Sequence, residues 1–297
     1  MSVPSPYAEL LTRVPVREAV VDVLGTPTRY WEYGDPDAAT TLILVHGFRG
    51  DHHGLEPVIA HLRGVRILAP DLPGFGTSAR FADREHSVAA YAAWLTAFTA
   101  ALDLGEDTVI VGHSFGSIVV SAAVAQGLPC ARVVLINPIA APALEGPRGI
   151  LTRLAVLYYR LGALLPERVG FGLLRNRAIV RVMSEAMAKT TDAGLRRWIH
   201  DQHHRYFSAF ADRDVVLEAF TASVSHDVSE FAADITQPVL LIASDKDDIT
   251  PIAAQHALCA RFPDARLRVI GGVGHLIHYE APAEAARHIM GELGESQ

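Results

Sequence analysis

Three sets of residues carry the types and spacing that chemistry needs. The first is Gly112-His113-Ser114-Phe115-Gly116, a G-x-S-x-G that follows a β-branched apolar run and precedes a helical pattern. A turn that tight between strand and helix excludes side chains at the flanking glycines and pushes the serine hydroxyl out above the sheet. It also leaves the Phe115 N–H unpaired at a helix start, suited to meet developing negative charge. A serine hydroxyl is a weak nucleophile unless a base reaches it. Of 14 histidines, His275 is placed for that, in Gly271-Gly272-Val273-Gly274-His275 just after the last strand pattern. His278, three residues on, reads as a support for that loop. An imidazole base in turn needs a carboxylate to fix its tautomer. Ser244-Asp245-Lys246-Asp247-Asp248, after the preceding strand pattern, offers three. Spacing does not choose among them.

These residues need elements to hold them. Short, continuous Val/Ile/Leu-rich runs recur at 41–45, 66–69, 108–111, 132–136, 239–243 and 267–270. Such runs fit parallel strands buried on both faces. Helical patterns separate them at 55–62, 87–102, 118–126, 253–261 and 283–293. Two alternating segments, 18–23 and 29–33, are broken by Gly25 and Pro27 and predict an antiparallel edge hairpin. The fold class is α/β, a mostly parallel sheet with helices on both faces. The nucleophile, the acid and the histidine then stand at the ends of different strands, where ligands gather in such sheets.

From 139 to 232 the alternation stops and helical patterns dominate, at 150–164, 171–188 and 194–210. The expectation is a core of residues 1–138 and 233–297 with a helical cap of 139–232 inserted after the sixth strand. The cap holds 12 basic and 10 acidic residues, whereas the whole chain has 26 and 33 and a net charge of −7. Seven arginines and one acid lie between Arg148 and Arg181. They predict either a lid with its arginines in water or a weak contact with an anionic membrane surface. The overall acidity argues against a nucleic-acid partner. Cys130 and Cys259 cannot build a disulfide framework or a cysteine-rich metal site. The start of the chain lacks a signal-peptide pattern, and the uncharged stretch 108–131 is broken by Gly112, Gly127 and Pro129. A soluble, cytoplasmic protein without a transmembrane segment is expected.

The motifs resemble those of the α/β-hydrolase superfamily, in its capped esterase and lipase-like branch. The resemblance runs nearly end to end. It includes His46-Gly47-Phe48, the loop Asp71-Leu72-Pro73-Gly74-Phe75-Gly76-Thr77-Ser78, the elbow 112–116, and Gly274, His275, Glu280 and Pro282. The family's acid loop, G-x-x-D-x-x-x-P, falls on 244–251. That implies Asp247 as the acid, with Asp248 the alternative, and Ser244 stands where glycine is usual. The resemblance implies a Ser114–His275–Asp247 triad, an oxyanion hole from the Phe48 and Phe115 N–H groups, and hydrolysis of a small-molecule carboxylic ester without cofactor or metal. The same triad could instead cleave a lactone, a thioester or a C–C bond, or serve a slow ligand sensor. Leu276, where C–C hydrolases of this family place Trp, argues against the C–C reading. Tyr158, Phe171, Met183 and Met187 are the expected pocket lining. His46 and Asp71 read as structural. Neither histidine set, 52–53 or 200/203/204, reads as a metal site, and the second, at helical spacing, reads as surface residues of a helix.

Overall fold

The computed structural model describes residues 3–141 and 149–294, so Arg148, at the head of the arginine-rich stretch, lies outside the described residues. The strands are β1 (Val16–Val23), β2 (Thr26–Gly34), β3 (Thr41–Val45), β4 (Arg66–Pro70), β5 (Val109–His113), β6 (Arg132–Ile136), β7 (Val239–Ser244) and β8 (Ala265–Ile270). They form one sheet in the order β1-β2-β4-β3-β5-β6-β7-β8. β1 and β2 are the expected hairpin; β2 also meets β4 antiparallel, and all other pairings are parallel.

The runs of aliphatic residues work as double-sided strands. Ile43, Val45, Ile110, Val133, Leu135 and Leu241 join a core on one face of the sheet. Their neighbours Leu42, Leu44, Val111, Val134, Ile136 and Leu240 join a second core on the other. Each such fully buried side chain contributes about 1.5–3 kcal/mol, which is why the central strands carry no polar alternation. At the far edge, β8 keeps Arg266 and Arg268 on its more exposed positions, as an unpaired sheet edge requires.

The helices are α1 (Ala8–Leu11), α2 (Glu56–Ile59), α3 (Val88–Ala101), α4 (Phe115–Ala125), α5 (Gly149–Leu164), α6 (Glu167–Leu174), α7 (Arg177–Met187), α8 (Ala193–Tyr206), α9 (Arg213–Ser225), α10 (Ile252–Cys259), α11 (Ile277–Glu280) and α12 (Pro282–Gly294). α3 starts where Ser87 accepts the Ala90 N–H at 3.2 Å. Three helical expectations change. The pattern at 55–62 yields the single turn α2, bounded by 3-10 and turn residues. The expected helix at 171–188 is two helices, because Asn176 is extended and its side chain accepts the N–H groups of Ala178 and Ile179. A further helix, α9, begins where Asp212 accepts the Val215 N–H.

Helices α5 to α9 all lie between β6 and β7 in sequence. The segment between α8 and α9 is stitched to the core. The Gly76 N–H donates to Ala209 O at 2.8 Å and the Ala211 N–H to Gly74 O at 2.9 Å, around a Phe75–Phe210 bridge. On α5 the residues Leu154, Leu157, Leu161 and Leu164 are 45–83% exposed. Their three- and four-residue spacing forms one stripe, with exposed Arg153 and Arg160 beside it.

The two glycines of the elbow hold α4 against the sheet. A Cβ on Gly116 would stand 2.3 Å from Val45 O and 2.6 Å from His46 O. One on Gly112 would stand 2.6 Å from Gly116 O. Gly116→Ala is expected to cost about 1–3 kcal/mol through forced separation of α4 and β3, read as a lower urea midpoint. An unchanged midpoint would contradict this close approach.

Candidate active site

Ser114 sits between β5 and α4 with φ 52° and ψ −119°, a left-handed conformation that a side chain adopts only under constraint. The constraint is visible: its N–H donates to Ile136 O at 3.1 Å, and its carbonyl accepts the Ser117 N–H at 2.8 Å. Its hydroxyl donates to His275 Nε2 at 2.8 Å. His275 Nδ1 donates to Asp247 Oδ2 at 2.7 Å. A carboxylate only accepts, so this contact puts the imidazole proton on Nδ1 and leaves Nε2 free to take one from serine. The structure thus brings together Ser114, His275 and Asp247 from the ends of three strands.

Asp247 is nearly buried, and its charge is met from four sides. Oδ2 also accepts from Asn137 Nδ2 at 3.0 Å, and Oδ1 accepts the N–H groups of Ile249 (2.7 Å) and Thr250 (3.1 Å). Burial pushes its pKa up, but the His275 ring and these donors prevail and hold it below the usual carboxylate value. Asp248 points elsewhere and pairs with Lys189 Nζ at 2.5 Å. Ser244, the departure from glycine, has a use. Its hydroxyl accepts from Asn137 Nδ2 at 2.9 Å and donates to Gly274 O at 2.7 Å, linking the acid loop to the histidine loop. Glu280 secures the other side of that loop by accepting the Gly274 N–H at 2.9 Å.

Gly47 lies where a Cβ would stand 3.1 Å from Ser114 Cβ, so the loop after β3 touches the elbow directly. Phe48 follows it. Phe115 is the first residue of α4, and its N–H has no partner within the helix. Neither of these two backbone N–H groups donates to an acceptor among the described residues. His46 is structural: Nδ1 donates to Gly47 O at 2.8 Å, while Nε2 accepts the Leu72 N–H at 2.9 Å. Burial holds its pKa low. Asp71 accepts from His52 and Thr77 and shapes its loop. His278 packs on His113 at 4.1 Å between ring centres, and burial holds it well below the usual histidine pKa.

A cavity of ≈ 200 Å³ is lined by Ser114, His275, Phe48, Met183, Met187, Phe207, Ile249, Leu276 and Tyr279, among others. Two expected lining residues stand elsewhere, in the packing of the insertion itself. Tyr158 spends its hydroxyl on Leu173 O at 3.1 Å, and Phe171 packs edge-on to Phe210 at 5.6 Å. Phe207, which caps α8, and Ile249, in the loop after β7, take their place.

The helical histidine set is not a surface set, and the 52–53 pair also packs inward. Asp51, His52 and His53 offer ligand atoms within 4.8 Å of one another. Yet His52 is buried, bonded to Asp71 and stacked on Trp31, and His53 stacks on Tyr206. His200 and His203 are buried too, with Ser184 Oγ 2.6 and 2.7 Å from their Nδ1 atoms. Sequence reading also missed Asn137, with φ 44°, and Arg49. An Asn directly after an apolar strand run is the one sequence signal for the first, since Asn tolerates the left-handed region.

Residues 42–288 match the model of the Alpha/beta hydrolase family. The chain belongs to that family. It is 26% identical over 282 residues to the "Uncharacterized hydrolase YugF" of Bacillus subtilis, covering 93% of this chain and 96% of that protein. It is 30% identical over 277 residues to the dihydrolipoyllysine-residue acetyltransferase component of the acetoin cleaving system of Pseudomonas putida, covering 92% of this chain and 68% of that one. In structure it is similar to an esterase from Exiguobacterium antarcticum, with a TM-score of 0.76 and 15% identity over 94% of this chain and all of that chain. Among the described residues no helix is long and apolar enough to cross a membrane.

Several buried imidazoles make the fold sensitive to acid. Burial, with smaller repulsion from neighbouring charges, pushes His113 and His203 down to about 3 and His86 to about 4. Unfolding returns each to the ordinary histidine value, so the unfolded chain binds more protons in the window from about pH 6.5 down to 4. Stability is therefore expected to fall steadily as pH drops through that window. Urea midpoints at pH 7, 6, 5 and 4.5 check this, and a flat profile to pH 5 would contradict it.

Proposed function

We propose that the chain is a serine hydrolase that cleaves a carboxylic ester through an acyl-enzyme. The observation that carries this is the continuous chain from Ser114 Oγ through His275 to Asp247, at 2.8 and 2.7 Å, opening on an apolar cavity. Ser114 Oγ attacks the ester carbonyl while His275 Nε2 takes its proton. The same proton then goes to the leaving alcohol, and water repeats the attack on the acyl-enzyme. Asp247 keeps His275 in the right tautomer and stabilises its cation. The Phe48 and Phe115 N–H groups receive the oxyanion, the second of them at the positive end of α4. None of these steps calls on a cofactor or metal. A small apolar cavity fits an ester with a short apolar acyl or alcohol part. The helices of 139–232 act as a cap, with Met183 and Met187 of α7 supplying part of the wall.

The exposed leucine stripe of α5 supports a second property of the same protein, a weak contact with anionic membrane surfaces. Apolar side chains would enter the headgroup region while the arginines beside them meet lipid phosphates.

Ser114→Ala is expected to abolish p-nitrophenyl acetate and butyrate turnover, a loss of at least about 10⁴-fold, with an unchanged circular dichroism spectrum. Turnover surviving in that variant would sink the mechanism. A panel of lactone and thioester substrates compared at equal enzyme concentration separates the neighbouring chemistries. For the membrane contact, co-sedimentation with phosphatidylglycerol vesicles is expected to exceed that with phosphatidylcholine and to vanish in Leu157→Glu/Leu161→Glu. Equal recovery with both lipids would rule it out.

A further inference from the structure

One buried cation has no part in the steps above. Arg49 stands directly after Phe48, and its side chain is fully withdrawn from solvent. Its backbone lies in the left-handed region at φ 60°, a conformation that disfavours any residue with a Cβ. Its guanidinium supplies what holds it there. Nε donates to Phe207 O at 2.9 Å, Nη2 to Leu174 O at 2.7 Å and Nη1 to the Tyr159 hydroxyl at 3.1 Å. Its Cζ lies 4.7 Å from the ring centre of Phe207 and 5.2 Å from that of Phe210.

No carboxylate pairs with this cation among the described residues; helix ends serve instead. Leu174 is the last residue of α6, and Phe207 caps the C-terminus of α8. Two helix C-termini, each the negative end of a helix dipole, therefore converge on one guanidinium. Tyr159 adds α5, and its ring also lies 5.9 Å from that of Phe48. Three separate helices of the insertion thus meet a single side chain of the core. On its other side the same short loop is fixed to the core. Gly47 O accepts from His46 Nδ1 and from the Gly50 N–H, and Gly47 abuts Ser114.

We infer that Arg49 is a positioning residue that couples the seating of α5, α6 and α8 to the oxyanion site. Phe48 is the single residue between the anchored Gly47 and the clamped Arg49. Its N–H takes its direction from both, so the oxyanion donor is in place only when the three helices are seated on the guanidinium. This rests on the ester-hydrolase reading above. It adds that the cap contributes to transition-state stabilisation without a cap side chain reaching the reacting atoms.

The test compares wild type, Arg49→Gly and Tyr159→Phe. Glycine accepts the positive φ, so Arg49→Gly removes the side chain and leaves the backbone conformation accessible. The expectation is a kcat lower by roughly 10²-fold with KM within about threefold. Affinity for a trifluoromethyl ketone, which forms an oxyanion on Ser114, falls in parallel; affinity for the product acid does not. Guanidinium chloride at tens of millimolar restores part of kcat in Arg49→Gly, and equal sodium chloride does not. Tyr159→Phe, which removes one of three acceptors, shows a smaller loss in the same direction. A folded Arg49→Gly with unchanged kcat, or with lowered thermal stability alone, would overturn the inference. If Arg49→Gly does not fold, Tyr159→Phe decides, and unchanged ketone affinity there overturns it. Failure of wild type to hydrolyse any ester or to be labelled on Ser114 by a fluorophosphonate would count against the ester reading instead. The coupling is then read from amide exchange at 47–50, which speeds up in the variants if Arg49 holds the loop and stays unchanged if it does not.

Discussion

The absence of a side chain at Gly116 lets α4 begin in contact with the carbonyls of Val45 and His46, and the geometry of the site follows from that contact. It draws the start of α4 over the end of β3 and so places the loop 46–50 beside the elbow. At that elbow Ser114 takes its left-handed conformation, with its hydroxyl toward His275. The contact also leaves the first N–H of α4 next to the loop that carries Phe48. A methyl group at that one position would separate Ser114, the start of α4 and the loop of Phe48 together.

The acid side is built on a different rule, that a buried charge must be fully met. Asp247 is met by one imidazole, one amide and two backbone N–H groups, and the amide belongs to Asn137 at the end of β6. Beside His275 stand imidazoles kept neutral by burial, His113 and His278 among them. Neutral neighbours leave the negative charge of Asp247 facing His275 without competition. In the proposed reaction the ion pair forms only when His275 takes the serine proton.

Much of this was legible before any coordinates. The strands declared themselves because a strand buried on both faces must be apolar throughout, and the hairpin because one face of it is wet. The elbow and His275 were legible because their chemistry needs glycine at fixed offsets. Asp247 was not separable from Asp245 and Asp248 by spacing, since the choice depends on which carboxylate meets Asn137, 110 residues away in sequence. The helices of the insertion were blurred for a related reason. Their apolar residues pack on one another rather than on a sheet, and a break such as Asn176 rests on a side-chain cap that periodicity does not register. The sequence does not separate Tyr158 from Tyr159, yet it is Tyr159 whose ring lies 5.9 Å from that of Phe48. On a helix, neighbours in sequence face directions 100° apart, and only tertiary contact tells which faces inward.

The stitch between 74–76 and 209–211 has a consequence for how such a chain can be altered. Those two backbone hydrogen bonds fix the path of the main chain, and positions 74 and 76 are held to glycine, where φ is positive and a Cβ would stand 2.5 Å from Val215 Cγ1 and 2.1 Å from Asp71 Oδ2. Helix α9, which follows the seam, packs in the same core as α3. A natural breakpoint for exchanging segments between relatives therefore lies at the seam and not at the end of the helical stretch. Replacing 149–206 swaps the roof over the cavity and keeps its foundation, whereas an exchange that runs through 225 would remove a wall of the core as well.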